Sequence, residues 1–171
     1  HNAINLSQGF PDFKVSQELI NLIYKKMKEG KNQYAPMPGV IELRIALAKK
    51  IKNLYQLQVN PETEITITAG ATQALFTAIT AFVGKGDETI IFEPAYDSYA
   101  PAVKLNGGIP KYISLESPNF KINWDQVKDL ISDKTTMIII NTPNNPGGFV
   151  FEEEDMKRLE ELTRDTNIVI I

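Results

Sequence analysis

Apolar residues recur along the chain with two different periods, and their alternation predicts the fold. Val15, Leu19, Ile20, Ile23 and Met27 share one face of a helix over residues 15–29, with Ser16 placed to cap it and Gly30 to end it. After the loop KNQYAPMPG, residues 31–39, the positions Val40, Leu43, Leu47, Ile51 and Leu54 mark a second helix with its Lys and Arg outside. From residue 64 the rhythm becomes regular. EITITAG (64–70) reads as a strand, and ATQALFTAITAFV (71–83) as a helix burying Leu75, Ala78, Ile79 and Phe82. ETIIFEP (88–94) reads as a strand, followed by a short helix through Tyr99, Ala102 and Val103. IPKYISL (109–115) is a strand and WDQVKDLI (124–131) a helix capped by Asn123. TTMIIIN (135–141) is a strand, EEEDMKRLEELTRD (152–165) a helix with acids in its first turn, and NIVII (167–171) a final strand.

Strands separated by helical segments need crossover connections. The expected class is therefore α/β: three layers, α/β/α, around a mainly parallel sheet. Residues 1–60 are expected to form an N-terminal arm with helices, and residues 61–171 the first part of a larger α/β domain. The apolar run at Asn167–Ile171 suggests a piece of a longer protein.

In such sheets ligands bind beyond the carboxyl ends of the strands, so the loops that follow strands are the ones that matter. Thr68-Ala69-Gly70-Ala71-Thr72 joins a strand to a helix through small residues. Free N–H groups at the helix start and the Thr72 hydroxyl suit an anion, most naturally a phosphate. The same residues also suit a plain tight turn capped by Thr72. Glu93-Pro94-Ala95-Tyr96-Asp97-Ser98 places the Tyr96 ring just past a strand, either to stack on a planar heterocycle or to close the end of the sheet. Asp97 or Ser98 is placed to cap the next helix. Asn141-Thr142-Pro143-Asn144-Asn145-Pro146-Gly147-Gly148 sets amides between prolines. An amide held there donates and accepts hydrogen bonds, and Asn with Pro also simply makes turns. Together the loops offer a phosphate cup, a stacking ring and a fixed amide along one sheet edge.

Charge and composition narrow the partners. The net charge of the 171 residues is -3, with acids and bases interleaved and no basic run, which argues against nucleic acid and anionic membrane as main partners. There is no apolar run of the ~20 residues that a membrane-spanning helix needs. There are no cysteines and one histidine, His1, so thiolate chemistry, zinc sites and histidine-based triads lack their usual residues, and no metal site is expected. A cytoplasmic location is the expectation.

The motifs INLSQGFPDF, NQYAPMPG, ITAGATQAL, GDETIIFEPAYDSYAP and NTPNNP, in this order, resemble those of the fold-type I aminotransferases that use pyridoxal 5'-phosphate. The resemblance covers nearly the whole chain, and the methionine aminotransferases and kynurenine–oxoglutarate transaminases carry a similar GFPDF arm. It implies that Gly70, Ala71 and Thr72 bind the cofactor phosphate, and that Tyr96 stacks on the pyridine ring. It implies that Asn145 meets the ring's phenolic oxygen near the substrate carboxylate, with Asn141 close to the ligand. Tyr34 would reach across a homodimer to the partner's phosphate, and Gly9 and Phe10 would lie at the substrate mouth. Relatives usually carry a larger residue after the NP dipeptide. Here Gly147 and Gly148 follow Pro146, an expected loosening of the loop.

The implied activity is transamination between an L-amino acid (methionine, aromatic or glutamine-like) and a 2-oxo acid. A cysteine-S-conjugate β-lyase of the same family, or a non-catalytic phosphate-ligand-binding fragment, would share these loops. The family's cofactor-bearing lysine has no counterpart among the lysines here. The isolated segment is therefore expected to be inactive.

Overall fold

The computed structural model of the chain describes Ile4, Gly9 and residues 11–171. The expected site residue Phe10 lies outside the described residues. The chain forms two compact units, His1–Ile67 and Thr68–Ile171.

The first unit carries α1 (Gln17–Lys28) and α2 (Ile41–Tyr55). Ser16 occupies the N-cap of α1 without a side-chain hydrogen bond, and Gly30 follows the helix end at a positive φ of 76°. The predicted stripe of α1 exists, but Leu19, Ile20, Ile23 and Met27 all stay exposed. In α2 the expected arrangement is partly inverted. Leu43 and Leu54 are exposed, while Arg44, expected on the outside, is the buried residue of the helix.

Residues 64–70 were expected to be a strand and are not. Half-buried Ile65 and Ile67 alternate with exposed Thr66, so the side-chain pattern is strand-like. A strand also needs a ladder. Here the Ile67 N–H donates to Pro38 O in the preceding loop, at 3.0 Å, and among the described residues no strand pairs with the segment.

The second unit contains α3 (Ala71–Phe82), β1 (Glu88–Glu93), α4 (Tyr99–Leu105), β2 (Ile109–Ser114), α5 (Trp124–Leu130), β3 (Thr135–Ile139), α6 (Glu153–Thr163) and β4 (Val169–Ile170). The strands lie in the order β2-β1-β3-β4, all parallel. Alternate strand residues point to opposite faces. Ile91, Met137 and Ile139 pack on Ile79 and Val83 around α3 and on Val103 of α4. Ile90, Phe92, Ile113 and Ile138 pack on Val127 of α5 and Leu159 of α6. The unit is thus the expected three-layer α/β/α arrangement. Phe82, expected inward, is exposed, and Val83, just beyond the helix end, takes the core position.

The helix starts are set locally. Asn123 accepts the Gln126 N–H at the start of α5. Glu152 and Asp155 form a reciprocal capping box on α6, ahead of Glu153 and Glu154.

At the amino end of β1, Glu88 accepts from Ser132 Oγ at 2.7 Å and pairs with Lys111 at 3.1 Å. The Ser132 hydrogen bond, then Lys111 and Lys134, hold its carboxyl below the usual glutamate range against the opposing effect of burial. A depressed carboxylate pKa adds stability that is full above the unfolded-state value and is lost as pH falls through the folded one. The stability advantage of the parent over Glu88→Gln is therefore expected to hold at neutral pH and shrink at acid pH. Urea midpoints measured down an acid series test this, and an advantage constant at all pH values refutes it.

Candidate functional site

The sheet has one point where the winding reverses. From β1 the chain crosses through α4 to β2 on one side, whereas β3 continues through α6 to β4 on the other, and α4 and α6 lie on opposite faces. The crevice therefore opens between the carboxyl ends of β1 and β3. The loops at its two sides are Pro94–Ser98, bearing Tyr96, and the Asn-Pro loop from Ile140 to Phe151.

The Asn-Pro loop is held by its own bonds. Asn141 Oδ1 accepts the Asn145 N–H at 2.7 Å. Asn144, buried, accepts the Gly147 N–H on its side chain at 2.8 Å and the Gly148 N–H on its carbonyl at 2.8 Å. The Asn144 N–H donates to Phe149 O at 2.8 Å, and Thr142 Oγ1 accepts the Phe151 N–H at 3.0 Å. Gly147 has a packing reason besides its conformational freedom. A Cβ on Gly147 would lie 2.7 Å from the Phe149 ring and 2.9 Å from Asn144 Oδ1, so the glycine is what lets the loop close. The three asparagines divide the work: Asn141 and Asn144 fix the backbone, and Asn145 remains exposed.

The start of α3 is built differently. Gly70, at φ 86°, is its N-cap, and no side chain caps the helix, Thr72 included. Thr68 Oγ1 donates to Gly70 O at 3.0 Å, and Gln73 Oε1 accepts the Ala69 N–H at 2.6 Å, which fixes the turn from outside. The first-turn N–H groups have no acceptor within the helix. At the start of α4 Ser98 is the N-cap by position, but its buried hydroxyl makes no hydrogen bond.

These pieces meet in one cleft of about 270 Å³ lined by Ala71, Thr72, Leu75, Tyr96, Tyr99, Asn141 and Asn145. Sequence reasoning missed Leu75 and Tyr99. The signal was there: Leu75 lies one helical turn beyond Ala71, and Tyr99 follows Tyr96 by three residues. Tyr96 and Tyr99 lie with ring centroids 5.9 Å apart, tilted by 57°. Burial, with Tyr96 beside it, pushes the Tyr99 hydroxyl above the usual phenol range, so it stays a protonated donor. No lysine lines this cleft. A larger cleft of about 610 Å³, between α5 and α6 on the other sheet face, contains none of the predicted site residues. Gly9 and Tyr34 belong to the first unit, and both are exposed.

A family model described as "Aminotransferase class I and II" matches residues 1–171. The chain belongs to the class I and II aminotransferase family. It is 47% identical over 171 residues to methionine aminotransferase of Escherichia coli (strain K12), covering 100% of this chain and 44% of that protein. It is 37% identical over 172 residues to aspartate aminotransferase of Bacillus subtilis (strain 168), again covering 100% of this chain and 44% of the relative. A crystal structure of an Escherichia coli protein with a methionine aminotransferase function superposes with a TM-score of 0.96 at 46% identity, covering 99% of this chain and 45% of that one. The chain thus spans less than half the length of the relatives it matches, and its fold is that of the fold-type I aminotransferases.

Aminotransferases of this family depend on pyridoxal 5'-phosphate. The cleft fits that group on its own chemistry. It joins an uncapped helix N-terminus suited to a dianion, an aromatic face suited to a flat ring, and an exposed amide on a braced loop.

Proposed function

We propose that this chain supplies the phosphate- and ring-binding side of an aminotransferase site. In this reading Gly70, Ala71 and Thr72 hold the cofactor phosphate and Tyr96 covers its ring. Asn145 donates to the ring's phenolic oxygen and lies beside the substrate carboxylate. Asn141 serves the ligand by holding Asn145. Bound there, the cofactor supplies an electron sink for bond breaking at the substrate α-carbon. The cleft's own residues bind and orient. In this reading the α-proton is moved by a group outside them.

The single observation that carries this reading is the convergence of Ala71, Thr72, Tyr96 and Asn145, from three separate loops, on one cleft at the reversal point of the sheet. The donor is proposed to be methionine or another amino acid with a sizeable apolar side chain. Support comes from the 47% identity to a methionine aminotransferase against 37% to an aspartate aminotransferase. A homodimer is proposed as the working unit, with exposed Tyr34 reaching the partner's phosphate and Gly9 and Phe10 at the substrate mouth.

The test is direct. Full-length protein with pyridoxal 5'-phosphate, L-methionine and a 2-oxo acid is expected to yield a new amino acid and the 2-oxo acid of methionine. Pyruvate and ammonia from a cysteine S-conjugate, with no new amino acid, would point to elimination instead. Electron density for the cofactor away from Gly70, Tyr96 and Asn145 would overturn the site itself.

Tyr96→Ala is expected to weaken cofactor binding by roughly two- to tenfold, the ~0.5–1.5 kcal/mol of an aromatic contact, while Tyr96→Phe keeps the affinity. Titration of the cofactor-free protein checks this. Equal losses in both variants would assign the effect to the hydroxyl and not to stacking.

A further inference from the structure

Tyr99 is 7% exposed and belongs to the core cluster of Ile79, Val103, Met137 and Ile139, all within the second unit. Its ring fills that core, but the core makes no use of its hydroxyl. Among the described residues the oxygen has no hydrogen-bond partner. The buried hydroxyl of Thr163, by contrast, donates to Leu159 O at 2.8 Å. A phenol kept in apolar surroundings without a partner is unfavourable, and phenylalanine would fill the same space without that cost.

The oxygen is nevertheless open on one side. Among the described residues the hydroxyls sealed away without a partner are those of Thr89, Ser98 and Thr136, and Tyr99 is not one of them. The open space against Tyr99 is the cleft lined by Ala71, Thr72, Tyr96 and Asn145. The residue is held in place there. Its N–H donates to Tyr96 O at 3.3 Å, and its ring is gripped by the core, so little ordering is left for ligand binding to impose. Burial favours the protonated phenol, which keeps the hydroxyl a donor at neutral pH.

We propose that Tyr99 is a further cofactor-binding residue: its hydroxyl, unused by the fold, donates a hydrogen bond to the edge of the ring that Tyr96 covers. The proposal rests on the reading of this cleft as the cofactor site. The phosphate is assigned to the start of α3, so the Tyr99 bond belongs to the ring alone. Its loss is therefore felt equally by pyridoxal 5'-phosphate and by pyridoxal, which lacks the phosphate. The fold of the cofactor-free protein loses nothing with it.

The experiment measures both ligands by equilibrium dialysis on cofactor-free full-length protein, together with the urea midpoint of that protein. Tyr99→Phe is expected to weaken both ligands by the same factor, about two- to tenfold, the effect of one ordinary hydrogen bond. The urea midpoint is expected to stay level or rise. A merely structural hydroxyl would lower it instead, and that result overturns the proposal, as does failure of Tyr99→Phe to fold. A loss confined to pyridoxal 5'-phosphate would place the bond on the phosphate and also overturn it. Tyr96→Ala and Thr72→Ala test the underlying site. If they weaken the cofactor and Tyr99→Phe does not, only the role of Tyr99 is wrong. If none of the three weakens it, the site is misplaced and the proposal fails with it.

Discussion

Asn145→Ala is expected to lower kcat/KM of the full-length protein by about ten- to a hundredfold. A hydrogen bond to a charged or strongly polarised oxygen contributes roughly 1.5–3 kcal/mol, and each ~1.4 kcal/mol is tenfold. The upper part of that range applies because the amide is placed before any ligand arrives. Asn141 accepts its backbone N–H at 2.7 Å, and Asn144 closes the turn behind it, so little ordering entropy is left to lose on binding. Asn141→Ala removes the brace and keeps the amide. Its expected cost is about two- to tenfold, that of one ordinary hydrogen bond at roughly 0.5–1.5 kcal/mol. The order of the two effects is the diagnostic. Steady-state kinetics showing Asn145→Ala within twofold of the parent, or milder than Asn141→Ala, would remove Asn145 from the site.

The second unit was legible in the sequence because its rules are local. Each of β1 to β4 is a short apolar run between turn residues, and each lies within a residue or two of its predicted bounds. The parallel order followed from the helices between them, and two loops of the candidate cleft follow strands as expected, whereas the Thr68–Thr72 turn follows no strand. The misses share a cause: each depended on a partner outside the local window. Residues 64–70 have a strand pattern, but Ile67 bonds to the Pro38 loop and among the described residues no strand pairs with it. Arg44 reads as a surface charge in any helical wheel, and only the carbonyls of Gly39, Pro61 and Glu62, far apart in sequence, draw it inward. Gly147 reads as slack until the Phe149 ring is set beside it. Phe82 follows the helical period of Ile79, yet the helix ends there and Val83 turns into the core.

Phe151→Ala is expected to be the most destabilising of the substitutions considered, by about 3–5 kcal/mol, the usual cost of truncating a buried phenylalanine. Phe151 is buried, meets Phe92 edge-on at 5.6 Å and 77°, and stacks with Phe149 at 5.6 Å and 28°. Phe149 in turn stacks on Phe120 at 5.1 Å. This row of rings is the floor under the Asn-Pro loop, and the Phe151 N–H also ties the loop's exit to Thr142 Oγ1. Removing the ring therefore leaves a cavity and frees the loop that carries Asn145. Ile113→Ala is the control: Ile113 is fully buried in the same cluster but lies on β2, away from the reversal point. Both variants are expected to unfold at lower urea than the parent, while only Phe151→Ala also weakens the cofactor under conditions where both remain folded. Equal cofactor affinity in the two folded variants would show that the aromatic floor supports the core without shaping the site.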